Sequence, residues 1–325
     1  MRRPRLPLDE IILGDCLEGM RRLPDACVDL AFADPPFNLG KKYGVYDDRR
    51  EVREYFDWCA AWLAEMARVL KPTGSLFVYN IPRSLTRYAA ILDAIPAVRF
   101  RHWIAWEGRS MPLGKTLQPT HYGILWYVRS DAFKYFDVRG HHATCRKCGA
   151  ILKDYGGKKD DMHPFGPLIG DVWTDIHRIK HNLRRDPHPC QLPVPLVERL
   201  LLMTTNPGDT VIDPFMGTGT TAVAAKRLGR HFLGFDIDPK YVHLGLEKAA
   251  REKETTIRGA HVSYYLGRLV TVRDEDYSLV EPVLERRQIH VRREHTVDHA
   301  LPHVKLPLQL ERLPFNRMSY RVNRR

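Results

Sequence analysis

The stretch TVIDPFMGTGTTAVAAKRLGRHFLGFDID, running from Thr210 to Asp238, decides the fold. Thr210 to Ile212 is a short apolar run of strand type, and Asp213 to Thr220 is a turn punctuated by Gly217 and Gly219. Thr221 to Leu228 then reads as a helix and His231 to Phe235 as a strand again. Strand, helix and strand at this spacing make a parallel βαβ unit, because parallel neighbours need a crossover connection of roughly a dozen residues or more. A helix from Val194 to Thr204 leads into the unit, and one from Pro239 to about Glu254 closes it.

The turn excludes the commonest ligands of such a unit. No Lys-Ser or Lys-Thr pair follows its glycines, so it is not a P-loop. Gly217-Thr218-Gly219 gives only Gly-x-Gly, where a dinucleotide site has Gly-x-Gly-x-x-Gly. Glycines here let the backbone take positive φ and approach a ligand closely. Asp213 at the strand end repels a pyrophosphate but suits a cationic amino-acid group. Asp236 ends the next strand, a place from which an acid accepts both hydroxyls of a ribose. The pair fits a nucleoside that carries an amino acid, which describes S-adenosylmethionine.

The same alternation runs through the first part of the chain. Asp9 to Leu13 reads as a strand closed by Gly14-Asp15, Cys16 to Leu23 as a helix, and Val28 to Ala33 as a buried strand. Phe56, Leu63, Met66, Val69 and Leu70 place a helix over Tyr55 to Leu70, and Lys71-Pro72-Thr73-Gly74 turns the chain into a strand over Ser75 to Asn80. His102 to Trp106 and Tyr122 to Val128 are further strands; their aromatics, Trp103, Trp106, Trp126 and Tyr127, are expected in the core, with one of them in reach of a ligand. The whole predicts an α/β fold, a mostly parallel sheet with helices on both faces.

Asp34-Pro35-Pro36-Phe37 ends the buried strand, since two prolines cannot continue a central ladder. A carboxylate beside a proline-fixed carbonyl gives two acceptors aimed at one point. An amine with two N–H bonds is held there with its lone pair turned outward, and Phe37 offers a face to a planar base. Base–aromatic stacking contributes roughly 1–3 kcal/mol.

These two turns together resemble a known family. Asp34-Pro35-Pro36-Phe37 is similar to the amine-binding motif of DNA amino-methyltransferases, and Asp213-Pro214-Phe215-x-Gly217-x-Gly219 to their cofactor motif. The amine motif comes first, as in the permuted beta class, and the resemblance covers roughly Glu10 to Ala250. It implies a Rossmann-like sheet, S-adenosylmethionine as cofactor, and double-stranded DNA as substrate, with the target base flipped out of the stack. Cofactor contacts are expected at Asp15, which resembles the acid that meets the cofactor adenine, at Asp213, Phe215, Gly217, Gly219, Thr220 and Asp236, and at Gln191 of His188-Pro189-x-Gln191-x-Pro193. Catalytic contacts are expected at Asp34, Pro35, Pro36 and Phe37. An acid at position 34 favours adenine N6, since cytosine-N4 enzymes of this type usually carry Ser. Phe37 departs from the Tyr more usual in adenine enzymes and favours the cytosine-N4 alternative. An RNA base, a protein glutamine amide, and a non-catalytic nucleic-acid-binding protein of the same fold are the remaining alternatives; the intact motifs and the basic insert weigh against them.

From Asp131 to Pro189 the texture changes to glycines, histidines and basic residues, and in this class the target-recognition region occupies this place. The expected organisation is a catalytic half at 1–130, an inserted loop-rich target-recognition region at 131–190, a cofactor-binding half at 191–254 and a basic extension at 255–325. Arg146, Lys147, Lys158, Lys159, Arg184 and Arg185 are the candidate DNA contacts, with Lys153 and Lys180 beside them. Cys145 and Cys148 have zinc-knuckle spacing, and His141, His142, His163 or Cys190 are the candidates to complete four ligands.

Bulk properties agree. The 325 residues carry a formal net charge of +12, which attracts polyanions. Six cysteines in a chain of this size exclude a disulfide scaffold. No apolar run reaches membrane-spanning length, and the basic start of the chain lacks the apolar core of a signal peptide, so a cytoplasmic protein is expected. A homodimer, and a cognate restriction endonuclease acting on the same site without direct contact, are the other candidate partners.

Overall fold

The computed structural model describes residues 6–43, 45–108, 117, 119–138, 167–179, 186 and 191–252, and the backbone of short strands at 260–263, 268–272, 289–291 and 308–310. The chain divides into two units, Met1–Tyr135 with Gly170–Thr255, and Phe136–Ile169 with Thr256–Arg325.

The first unit is the α/β body expected from the sequence. Its elements are β1 (Glu10–Leu13), α1 (Cys16–Arg21), β2 (Val28–Ala33), the small hairpin β3 (Lys42–Tyr43) and β4 (Tyr46–Asp47), α2 (Val52–Val69), β5 (Leu70–Asn80), α3 (Pro82–Asp93), β6 (Arg99–Glu107) and β7 (His121–Val128). After the second unit's first segment come β8 (Val172–Trp173), α4 (Val194–Thr204), β9 (Thr210–Asp213), α5 (Thr220–Arg227), β10 (His231–Asp236) and α6 (Pro239–Arg251). Eight strands form one sheet in the order β1-β10-β9-β2-β5-β7-β6-β8. All neighbours are parallel except at β7, which runs antiparallel to both β5 and β6.

Alternation of side chains across the strands builds two apolar layers. Ala31, Ala33, Leu76, Val78, Leu125, Tyr127, Ile212, Leu233 and Phe235 point into one cluster with Met20 of α1, Trp62, Leu63 and Met66 of α2, and Leu85, Tyr88 and Leu92 of α3. Every residue of β2 is buried, which is why it reads as an uninterrupted apolar run in spite of Asp29. Asp29 is satisfied at the foot of the strand by Lys71 Nζ at 2.7 Å, Lys134 Nζ at 2.9 Å and the backbone N–H of Thr210 at 3.0 Å.

Several local readings change. The Lys71–Gly74 turn lies inside a single strand: Leu70 pairs with Val28 and Ser75 with Leu30, so β5 spends five residues where β2 spends two. Pro72 is tolerated there because the ladder is already broken, and a Cβ on Gly74 would approach the Asp29 carbonyl to 2.8 Å. Helix α2 starts earlier than expected, capped by Glu51, whose carboxylate accepts from the N–H groups of Arg53 at 2.6 Å and Glu54 at 3.2 Å. Within the stretch 131–190, residues 170–179 belong to the α/β body. Val172–Trp173 extends the sheet beyond β6, and Trp106 Nε1 donates to the Ile176 carbonyl at 2.8 Å.

In the second unit, β11 (Ala260–Ser263) and β12 (Arg268–Val272) form one antiparallel pair and β13 (Ile289–Val291) and β14 (Leu308–Leu310) another. Cys145, Cys148, Cys190, His141, His142, His163, Arg146, Lys147, Lys153, Lys158, Lys159, Lys180, Arg184 and Arg185 lie outside the described residues.

Candidate active site

Four neighbouring strands end on the same edge, and each delivers a carboxylate. In spatial order across the sheet, β1 leads into Asp15, β10 ends on Asp236, β9 ends on Asp213 and β2 leads into Asp34. The register makes this unavoidable, since Leu13 is opposite Asp236, Gly234 opposite Asp213, and Ala31 opposite Ile212. The carboxyl ends of parallel strands are where open α/β sheets bind ligands. One cleft there is lined by Asp15, Asp34, Pro35, Pro36, Gln191, Asp213, Phe215, Gly217, Thr220 and Asp236, so ten sequence-predicted residues converge.

The glycine turn is sewn to the strand beside it. Asp236 accepts from the Gly217 N–H at 2.9 Å through one carboxylate oxygen and from the Asp238 N–H at 2.8 Å through the other. Met216 N–H donates to the Phe235 carbonyl at 2.9 Å. Asp213 is held by the Thr221 hydroxyl at 2.6 Å and the Phe215 N–H at 2.9 Å. Asp15 caps α1, accepting from the N–H groups of Leu17 and Glu18 at 2.8 and 3.1 Å. Gln191 is fixed by Asp186, which it meets at 2.6 Å through Nε2 and at 3.1 Å through Oε1; Lys248 Nζ completes the knot at 2.5 Å from Asp186 and 2.9 Å from the Thr218 carbonyl.

Burial, with neighbouring charge adding to it, raises the proton affinity of Asp34, Asp213 and Asp236. Burial, and then the Asp213 charge, push the Asp34 carboxyl well above its usual range, against a pull from Lys41. Burial pushes Asp213 up to about 7, with the Asp236 charge adding, while its bonds to Thr221 and Phe215 hold it down. Burial also raises Asp236, its backbone N–H partners opposing. Such a cleft is poised for a cation.

Two predicted residues do not reach it. Gly219 is absent from the lining: its φ of +83° and its lack of a side chain serve a backbone contact with Gly245 of α6. Phe37 is 6% exposed and packs among aromatics, 5.9 Å from Tyr79 and 6.4 Å from Tyr122 between ring centroids. Trp106 continues this cluster at 5.8 Å from Tyr122 and 5.9 Å from Tyr79, one ring removed from Phe37. Conversely, Tyr46, Arg50, Trp58, Ile237 and Tyr241 line the cleft without having been anticipated. Ile237 and Tyr241 follow the Asp236 motif directly, and their position was the available signal. Arg50 and Trp58 belong to no motif; the guanidinium lies 4.6 Å over the Trp58 ring.

The comparisons with known proteins fit this geometry. A family model described as DNA methylase, of the N6/N4 group, matches residues 28–247. This chain belongs to that family. Among relatives, the type II methyltransferase M.BamHI of Bacillus amyloliquefaciens is 43% identical over 234 residues, 71% of this chain and 55% of its own length. The type II methyltransferase M.BglII of Bacillus subtilis is 33% identical over 268 residues, 77% of this chain and 71% of its own. The chain thus spans little more than half the length of the first of these relatives. A solved complex of M1.HpyAVI with SAM shares the fold at a TM-score of 0.51 and 22% identity, over 75% of this chain and 99% of that one. The family and the α/β fold expected from the two motifs are therefore those found. Among the described residues, no cluster of His, Cys, Asp or Glu suits a metal ion, and no helix is long and apolar enough to cross a membrane.

Proposed function

We propose that this chain transfers the methyl group of S-adenosylmethionine to the exocyclic amine of a base extruded from double-stranded DNA. The donor set of the cleft fits that cofactor: acids for its cationic centres, Asp236 for ribose hydroxyls, N–H groups at the start of α5 for its carboxylate, and the apolar faces of Phe215, Ile237 and Tyr241 for a planar ring. When bound, the cofactor supplies a methyl carbon activated by a sulfonium leaving group. The chain's own work is then positioning and electrostatics. Asp34 accepts an amine N–H, and the carbonyl next to it takes the second. As positive charge develops on the amine nitrogen, the hold of the carboxylate tightens. Asp213 and Asp236 orient the donor side.

The observation that carries this reading is the adjacency of β2 and β9, which sets an amine acceptor, Asp34, beside a cation site, Asp213. Adenine N6 is the proposed target because position 34 is an acid. Cytosine N4 is the second reading, favoured by Phe37 in place of Tyr. The basic residues between 131 and 190 hold the DNA backbone and read its bases, and the names of the two type II relatives support a role opposite a restriction endonuclease that acts on the same site. Incubation of the full chain with DNA and methyl-labelled cofactor, then digestion to nucleosides and mass spectrometry, tests the proposal. N6-methyladenine supports it in full; N4-methylcytosine replaces the base and keeps the chemistry; no methylated nucleoside overturns it.

A further inference from the structure

The amine-binding turn has an unusual torsional balance. Between the Cα of Asp34 and the nitrogen of Phe37 the chain has five soft backbone torsions. The rings of Pro35 and Pro36 fix their two φ angles. Each proline also restricts ψ of the residue before it, which removes ψ of Asp34 and of Pro35. One torsion remains unrestricted by the covalent chain, ψ of Pro36. It sets the direction of the Pro36 carbonyl and the point from which Phe37 departs.

A buried hydrogen-bond chain ends on that carbonyl. Tyr55 Oη of α2 donates to Pro36 O at 2.5 Å and lies 2.6 Å from Tyr88 Oη of α3. Asn80 Nδ2 donates to Tyr88 Oη at 3.3 Å, and Cys59 Sγ lies 3.7 Å from the same oxygen. Asn80 Oδ1 is held in turn by the Ile81 N–H at 2.8 Å. Tyr55, Cys59, Asn80 and Tyr88 are all at most 1% exposed. The direction of the chain follows from its ends. A carbonyl only accepts and an amide nitrogen only donates, so the protons run from Asn80 to Tyr88, from Tyr88 to Tyr55 and from Tyr55 to Pro36. Each hydroxyl proton is used once. Bonds aligned in this way polarise and strengthen one another.

We infer that Tyr55 is a positioning residue for methyl transfer, locking the last free torsion of the Asp34–Phe37 turn, with Tyr88 and Asn80 setting the direction of its hydroxyl. The inference rests on the amine-transfer function proposed above. It assigns a reaction role to two phenols that do not line the cleft, and it explains why a core helix pair carries Tyr55 and Tyr88 where phenylalanine of the same shape would pack.

The test uses the full chain with its DNA substrate. Tyr55→Phe is expected to lower kcat on the order of 10- to 100-fold, the scale for a small misplacement of reacting groups, with KM for DNA and the dissociation constant for S-adenosylmethionine within about threefold of the parent. Tyr88→Phe keeps the bond to Pro36 but frees the Tyr55 hydroxyl to turn, and is expected to give a smaller loss of kcat with the same split. Tyr127→Phe is the control, since it removes the bond of another buried phenol, 2.7 Å to Asp93 at the last residue of α3, that has no part in the chain ending on Pro36. It is expected to lower the thermal midpoint without changing kcat. Unchanged kcat in Tyr55→Phe, or losses of kcat that merely follow the thermal midpoint in all three variants, overturns the inference while leaving the methyltransferase function intact. Absence of methyl transfer by the parent chain defeats the function itself. Should Tyr55→Phe not fold, the kcat of Tyr88→Phe decides alone.

Discussion

Gly219 and Gly245 meet backbone to backbone, so closely that a Cβ on Gly219 would stand 2.7 Å from the Gly245 Cα. The contact clamps the start of α5 to α6 and sets the height of the glycine turn above β9 and β10. Gly219→Ala adds this clash to the strain of a non-glycine residue at positive φ, itself about 1–2 kcal/mol. It is expected to lower the urea midpoint and to weaken cofactor binding together. Gly245→Ala meets first the flexible end of Ile11, with the Gly219 backbone at 3.3 Å, and should cost less. Equal costs for the two would show that the clamp does not set the turn.

Asp34 is the proposed amine acceptor, and its removal should separate chemistry from cofactor binding. Asp34→Ala should reduce methyl transfer by on the order of 10²–10³, as for other groups that stabilise developing charge. Calorimetry should find cofactor affinity little changed. Near-parental turnover in the variant would remove Asp34 from the reaction.

Asp236→Ala is expected to weaken S-adenosylmethionine by roughly 1.5–3 kcal/mol, the scale for hydrogen bonds to a charged acceptor. The same carboxylate ties down Gly217, so Asp236→Asn is the sharper variant: it retains an acceptor for the turn and loses the charge. A cofactor dissociation constant untouched by either change would mean that the ribose is held elsewhere.

If Asp213 faces the cofactor as proposed, binding should depend on pH. Its folded pKa is raised to about 7 from a reference of 3.8. Between those values the folded state holds a proton that the unfolded state has lost. This group therefore makes the free protein less stable as pH rises from about 4 to about 7. A cationic ligand favours the ionised form, so affinity for S-adenosylmethionine should rise with pH up to about 7 and then level, with protons released on binding below it. Calorimetry in buffers of different ionisation enthalpy reads that release, and Asp213→Asn should reduce it to what Asp34 and Asp236 contribute.

Replacing Arg184 and Arg185 with Gln should lower DNA affinity and flatten its dependence on salt, since fewer counterions are released, while cofactor binding is unaffected. An unaltered salt slope would move the DNA contact to another basic part of the chain.

Much of this was legible in the sequence because the motifs sit where periodicity changes. Val194–Thr204 and Val28–Ala33 have the same bounds in sequence and structure, and the four acids at strand ends follow from those strands. Helix α3 is absent from the expected elements, although Pro82 at its first turn and Leu85, Tyr88 and Leu92 on one face carry the usual pattern. The turn hidden inside β5 reads as a break because Lys71–Gly74 looks the same whether or not the strand resumes its pairing. Arg50 and Trp58 were out of reach for a different reason. Arg50 enters the cleft from the segment after the hairpin, where Asp48 accepts from the N–H groups of Asn38 and Leu39 at 2.7 and 3.0 Å, and Trp58 enters it from α2; nothing local announces either contact. The link from Tyr55 to Tyr88 spans 33 residues and two helices, so no window along the chain contains it.

The order of strands has a bearing on how the molecule is made. β10 and β9 slot between β1 and β2, so two strands encoded near the end of the α/β body separate two encoded at its start. During synthesis, β1 and β2 emerge with a gap between them that nothing fills until about residue 236 has left the ribosome. The first part of the chain waits with open strand edges, a state prone to mispairing. Two pieces cut between β7 and β8 should therefore gain order when mixed, each supplying the strands whose absence leaves the other's sheet unfinished.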